Sequence, residues 1–253
     1  MTLTTEFLLW MAGAVLWAVS GLAIVRYYLT EAELAGNNPG GGFKYMYFAQ
    51  VFAGFAAFVL VQASDTRETA ATAIAQETAA LRALVMVSTA GGMDADGRIA
   101  AAVKDYGEAV AADEWQEMAA GAHSPLAARR FDEVLRAFHN APATDPATTS
   151  SPVAAEMGSQ LAVAAVSARN QRIDVAAGNA FDKMLWTAVG ALALVSIAFN
   201  WALGSTSVIM HALTTSMLTM TMAQMLHLAV LMGSPFAGSA PLSPHRFLAL
   251  PGF

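Results

Sequence analysis

The sequence predicts an all-α membrane protein with four transmembrane helices and a helical extramembrane domain between the second and the third. Three observations carry this. Of the 253 residues, 56% are hydrophobic and 13% are charged, whereas an ordinary soluble domain is about 25% charged. Apolar runs of bilayer length stand near both ends of the chain, two before residue 64 and two after residue 182. The stretch between them is rich in Ala, Glu, Arg and Gln and lacks the β-branched alternation of strands.

Phe7 to Val25 is a continuous apolar run closed by Arg26 and by Tyr27 and Tyr28, which suit a membrane interface. It lacks the basic n-region and cleavage site of a signal peptide, so the span reads as retained. "AGNNPGGGFK" reads as a turn-rich loop. The second span then runs from about Phe43 to Val61. It passes into "QASDTRETAATAIAQETAALRAL" without a breaker, which predicts one long helix leaving the membrane. Asp94 or Asp96 caps the next helix, and Ser124 with Pro125 starts another. "NAPATDPATTSSP" is a linker. Ser151 with Pro152 opens a long helix that leads into the third span, near Met184 to Leu203. "GSTS" is a tight turn, and the fourth span runs from about Val208 to Met232. The predicted parts are a transmembrane hairpin at 1–63 (spans about 7–25 and 43–61), a helical domain at 64–182, a second hairpin at 183–232, and an extended tail at 233–253.

Several function classes recede. Without cysteine there are no disulfides or thiolate chemistry. A net charge of −6 argues against nucleic acid as a partner. No two histidines stand at the i, i+4 spacing of a helical metal site, and no cofactor is implied. No nucleophile–base pair or phosphate loop points to an enzyme. No charged residue lies deep in a span, which argues against a proton relay.

The second span carries Phe48, Phe52, Phe55 and Phe58 within an arc of about 120°. Such a stripe faces lipid or neighbouring spans. If copies meet on a symmetry axis, it instead lines a constriction that gates by dewetting. Gln50 and Gln62 bracket the stripe and would sit near the mouths of such a neck. The fourth span is rich in methionine, a flexible core filler. Met217 and Met225 with His227 make a weak copper(I) alternative. "GMDADGR" reads as helix capping, since it lacks the acidic pattern of a calcium loop. Tyr106 and Trp115 read as aromatic anchors. Asp113 and Glu114 point about 100° apart and form no catalytic dyad. Arg169 and Arg172 either bridge to a carboxylate such as Glu77 or Glu114, or attract anions or lipid headgroups near a vestibule. The tail "PFAGSAPLSPHRF" reads as extended, wrapping over its own domain or a neighbour's.

The segment from "GGGFKYMYFAQVFAGFAAFVL" to "HRF" resembles the bacterial bestrophin-like membrane proteins. The resemblance rests on the order of "ETAALRAL", "YGEAVAADEWQEM", "ARNQRIDVAAGNAFDKMLW" and "PFAGSAPLSPHRF". It marks Tyr106, Glu114, Trp115, Pro235, Phe236 and Gly238 as motif positions. The chain departs from the pattern at Gly233 and Ser234, where an acidic or amide residue is usual. It also lacks a proline ahead of the third-span Trp186. The resemblance implies a homo-oligomer, a pentamer being one reading, that conducts ions through a hydrophobic neck on the second span, with anions as the expected cargo. The alternative is a non-conducting subunit that assembles with or stabilises another membrane complex. The expected setting is the bacterial inner membrane. Arg67, Arg172, Lys183 and Arg246 on one side, against Arg26 and Lys44 on the other, lean toward a cytoplasmic domain.

Overall fold

The computed structural model describes residues 3–141, 152–178 and 180–250, and every element in them is a helix. The linker from 142 to 150, the Ser151 cap and Phe253 lie outside the described residues. In order come α1 (Leu3–Tyr28), α2 (Glu31–Ala90), α3 (Arg98–Ala109), a π-helical turn (Val110–Glu114), α4 (Trp115–Ala119) and α5 (Pro125–His139). They are followed by α6 (Pro152–Ala177), α7 (Ala180–Trp201), α8 (Val208–Gly233) and the short α9 (His245–Leu248). Among the described residues four helices are long and apolar enough to cross a membrane: α1, α2, Met184–Trp201 of α7, and α8. Two compact units emerge, Met1–Asp65 with Asn179–Gly233 and Thr66–Gly178 with Ser234–Phe253.

In the first unit α2 begins much earlier than the sequence predicts. Thr30 and Glu33 form a reciprocal capping box: the Thr30 amide donates to Glu33 Oε2 at 2.8 Å, and the Glu33 amide donates to Thr30 Oγ1 at 3.4 Å. The helix continues through Pro39 and the glycines that read as a loop. Asn37 and Asn38, turn formers by local preference, are engaged elsewhere. Asn38 donates to Gly204 O at 3.0 Å and accepts from Gly204 N at 2.8 Å, and Asn37 donates to Ala202 O at 3.2 Å. A Cβ on Gly204 would come within 2.5 Å of the Ala35 nitrogen, so this approach needs glycine.

The core of this unit runs along one face of α2. Phe52, Ala56, Val59 and Ala63 are buried against Leu185, Val189, Ala193 and Ile197 of α7 and Met222 and Ala229 of α8. Two polar side chains within the spans reach neighbouring helices, as burial in an apolar setting favours. Thr215 Oγ1 donates to Asn200 Oδ1 at 2.6 Å, and Gln224 reaches Phe7 O at 3.4 Å.

In the second unit the residues of α2 from Ala70 onward bury Ala70, Ile74, Glu77, Leu81, Leu84 and Ser88. The alternating four–three spacing is that of a coiled-coil seam. Asp94 caps α3 by accepting from Ile99 N at 2.7 Å and Ala100 N at 3.0 Å. Ser124 caps α5, with Leu126 N and Ala127 N each at 3.1 Å from its hydroxyl. The long helix that precedes the third span stops at Ala177. Gly178 takes a φ of +63°, the left-handed conformation that ends helices.

Candidate functional site

Four charged side chains and a tyrosine meet in the core of the second unit. Glu77 comes from α2, Tyr106 from α3, Glu114 from the π turn, and Arg169 and Arg172 from α6. Glu77, Tyr106, Glu114 and Arg172 are fully buried, and Arg169 is nearly so. Arg172 Nε donates to Glu77 Oε2 at 2.8 Å. Its Nη2 donates to Glu77 Oε1 at 3.2 Å, Tyr106 Oη at 3.1 Å and Glu114 Oε2 at 2.8 Å. Arg169 donates to Glu114 Oε1 at 2.5 Å and Tyr106 Oη at 3.2 Å. The Tyr106 hydroxyl donates to Glu77 Oε1.

Isolated charges could not survive such burial, which costs on the order of several kcal/mol per ion. Here two guanidiniums face two carboxylates, so the cluster is neutral, and each carboxylate is bridged by more than one donor. The arginine faces are covered by rings: Arg169 lies 5.4 Å from the Phe131 centroid and Arg172 5.0 Å from that of Phe247. Burial first, then the Glu77 carboxylate, pushes the Tyr106 hydroxyl well above its ordinary pKa. For Arg172, burial alone would lower the pKa, but Glu77 together with Tyr106 and Glu114 outweighs it and the net direction is up.

The π turn makes this meeting geometrically possible. Glu114 lies eight residues after Tyr106, and eight α-helical residues rotate about 80° past two full turns. One wider turn at Val110–Glu114 absorbs the surplus residue and returns Glu114 to the face of Tyr106. Its neighbour Asp113 points elsewhere and accepts from the Ser124 hydroxyl.

The tail closes the cluster. Pro235 and Phe236 are buried, Gly238 turns the chain at a φ of +82°, and Leu242 N donates back to Pro235 O at 2.7 Å. Trp115 packs edge-on against Phe236 at 5.4 Å and donates its indole N–H to Leu242 O at 3.0 Å. The tail therefore wraps its own second unit. Gly107 admits it, since a Cβ there would lie 2.5 Å from Phe247 O.

Arg169 and Arg172 were candidates for attracting anions or headgroups in a vestibule. The structure commits Arg172 to Glu77 and Glu114, and Arg169 to Glu114, within the buried core, so neither is available to a mobile ion. Sequence reasoning gave no role to Phe131, Met118 or Gly107, although Met118 Sδ lies 3.0 Å from Arg172 Nη1.

The second-span candidates do not share one surface. Phe52 is 3% exposed in the core, and Phe48 stacks on Phe199 at 4.9 Å. Packing against α7 takes up this half of the stripe, which corrects the expectation of four neck-lining rings. Phe55 and Phe58 are exposed. With Gln50, Val51, Gly54 and Leu185 they line a shallow concavity of about 480 Å³. Gln50 is exposed and hydrogen-bonds to nothing among the described residues. Gln62 is half-buried and has a partner.

The copper alternative fails on geometry. Met217 and Met225 are separated by about 12 Å along the helix axis. His227 is buried and stacks on Trp10 at 5.2 Å, while Met217 is exposed. Among the described residues, no group of three or more His, Cys, Asp or Glu is placed to hold a metal.

The fold and this core define an all-helical membrane protein with a neutral cluster of buried charges in its second unit. The family model for the Bestrophin-like domain matches residues 12–247, and the chain belongs to that family. No curated protein and no solved structure matches it.

Proposed function

We propose that the protein is a homo-oligomeric ion channel of the inner membrane, conducting anions through a neck to which each subunit contributes the exposed face of α2. The observation that carries this reading is Gln50. It is an amide with no partner among the described residues, exposed on a helix whose opposite face, Phe52, Ala56, Val59 and Ala63, is already packed. A polar side chain in hydrocarbon is costly unless it meets a partner or water. Copies of α2 around an axis would give Gln50 both, with Phe55 and Phe58 forming the dewetting constriction. In this arrangement the second unit lies in the cytoplasm as an extramembrane domain between the second and third spans. Membership of a family of channel type favours this over an enzymatic role.

The test has two parts. Because the chain has no cysteine, Gln50→Cys introduces a single thiol. Oxidation of that variant in membranes should give a cross-linked dimer if copies of α2 face one another. Proteoliposomes holding wild type, Phe55→Ala and Phe58→Ala should then show anion flux that the truncations raise severalfold. Absence of both cross-linking and flux would remove the channel reading in favour of a subunit that supports another membrane complex.

A further inference from the structure

In the second unit a groove of about 580 Å³ runs between α2 and the C-terminal tail. Its floor is Ala75, Ala79, Ala83 and the exposed side chain of Met86, and Arg82, His245 and Arg246 stand on it. Among the described residues no acidic side chain lines it, although the chain as a whole carries a net charge of −6. Arg82 is held in place by one bond, Nη2 to Ala249 O at 3.0 Å. Its remaining donors are uncommitted, and the side chains of His245 and Arg246 have no partner among the described residues. The contrast with Arg169 and Arg172, whose charges are cancelled by carboxylates, is direct: here two guanidiniums line one groove with no carboxylate facing them among the described residues.

We infer that this groove is a binding site for a small carboxylate with an apolar body, its carboxylate held by Arg82 and Arg246 and its hydrocarbon lying on the alanine and methionine floor. A guanidinium fork matches a carboxylate in a bidentate manner. Small-molecule sites commonly combine an apolar lining with a few convergent polar groups, as here. His245 adds a third donor. The groove is shaped by the same tail segment that supplies Phe247 to the buried cluster, so an occupant would hold α9 against α2. The inference is independent of conduction.

The experiment uses the full-length protein in detergent at fixed ionic strength, with hexanoate, hexanol and inorganic phosphate as probes, read by calorimetry and by thermal shift. Hexanoate should bind and raise the melting temperature. Arg246→Gln should weaken it by at least about fivefold, the loss of one charge-assisted contact. Arg246 bonds to nothing among the described residues, so that variant should fold as the wild type does; Arg82→Gln should weaken binding further while also freeing Ala249. Unchanged hexanoate affinity in Arg246→Gln would overturn the site. Hexanol binding as well as hexanoate would overturn the anionic part of the inference, and phosphate binding as tightly would overturn the apolar part.

Discussion

Replacing Arg172 by methionine is the sharpest probe of the buried cluster. Methionine keeps much of the length and apolar stem but removes the charge. The remaining Arg169 reaches Glu114 and Tyr106 but makes no bond to Glu77. Glu77 would then keep only the Tyr106 hydroxyl while carrying a fully buried charge. Removing one partner of a buried ion pair typically costs about 3–5 kcal/mol. Arg172 bonds to both carboxylates and to Tyr106, so the loss belongs at the upper end of that range. For a chain of this size about 1 kcal/mol moves the melting temperature by roughly 2–4 °C, which at that upper end gives a fall of about 10–20 °C. The assay is thermal unfolding of the detergent-solubilised protein followed by tryptophan emission, since Trp115 packs within the same core. Arg130→Gln is the control. It breaks exposed pairs to Glu133 at 2.8 Å and Asp105 at 3.7 Å, and exposed pairs contribute little. Arg172→Lys should rescue only part of the loss, because an ammonium cannot reproduce the fork that spans Glu77 and Glu114. A melting temperature for Arg172→Met equal to that of the Arg130→Gln control would refute the claim that the cluster organises this unit.

Tyr106 makes the second unit sensitive to alkali. Its folded pKa is raised above the ordinary value of 10.0, so its contribution to stability is complete below pH 10. That contribution is lost as the unfolded tyrosine ionises above pH 10 and the pH rises through the folded pKa, at about 1.4 kcal/mol per pH unit for one proton. Tyr106→Phe should show an alkaline decline shallower by that one proton, measured by denaturant unfolding from pH 9 upward; parallel curves would contradict the assignment. Gly107→Ala should cost about 1–3 kcal/mol by overpacking against the Phe247 carbonyl. The same change should speed tryptic cleavage after Arg246, and an unchanged cleavage rate would show that the tail does not rest there.

Much of the helical plan was legible because it rests on local signals. Ser124 before Pro125, and Asp94 ahead of Arg98, are caps whose chemistry is local to a few residues. The apolar runs follow from composition alone. The start of α2 was hidden by a conflict between levels. "GNNPGGG" has the composition of a loop, but the tertiary bonds of Asn37 and Asn38 to Ala202 and Gly204 override it. A signal for the earlier start was present in "TEAE", the Thr–x–x–Glu spacing of a capping box. The buried cluster was partly legible. Glu77 occupies a seam position among Ile74, Leu81 and Leu84, where a charge is an anomaly that demands a partner. What the sequence could not show is the π turn. Nothing in "AVAADEW" distinguishes an α from a π turn, because the surplus residue is stabilised by what Glu114 meets across the core. The phenylalanine stripe divided for a similar reason. Periodicity places four rings near one another, but only the position of α7 decides which of them are covered.

The disposition of charge constrains how a channel of the proposed kind could choose its ions. Arg169 and Arg172 lie in a cluster whose formal charges sum to zero, so their field at a distance falls off steeply. They can neither draw anions toward a pore nor repel cations from one. Among the described residues the α2 face around Gln50, Gly54, Phe55 and Phe58 carries no charge either. The chain's net charge of −6 works against an anion approaching it. Selectivity at such a neck would then come from the cost of shedding water between aromatic rings, with Gln50 as a neutral dipole able to replace part of the hydration shell. That cost is lowest for large, weakly hydrated ions. It is paid in the constriction rather than in the field outside it. The second unit would accordingly serve the pore through rigidity: its buried charges lock α2, α3, α6 and the tail into one body, and their mutual neutralisation leaves the constriction to the apolar face of α2.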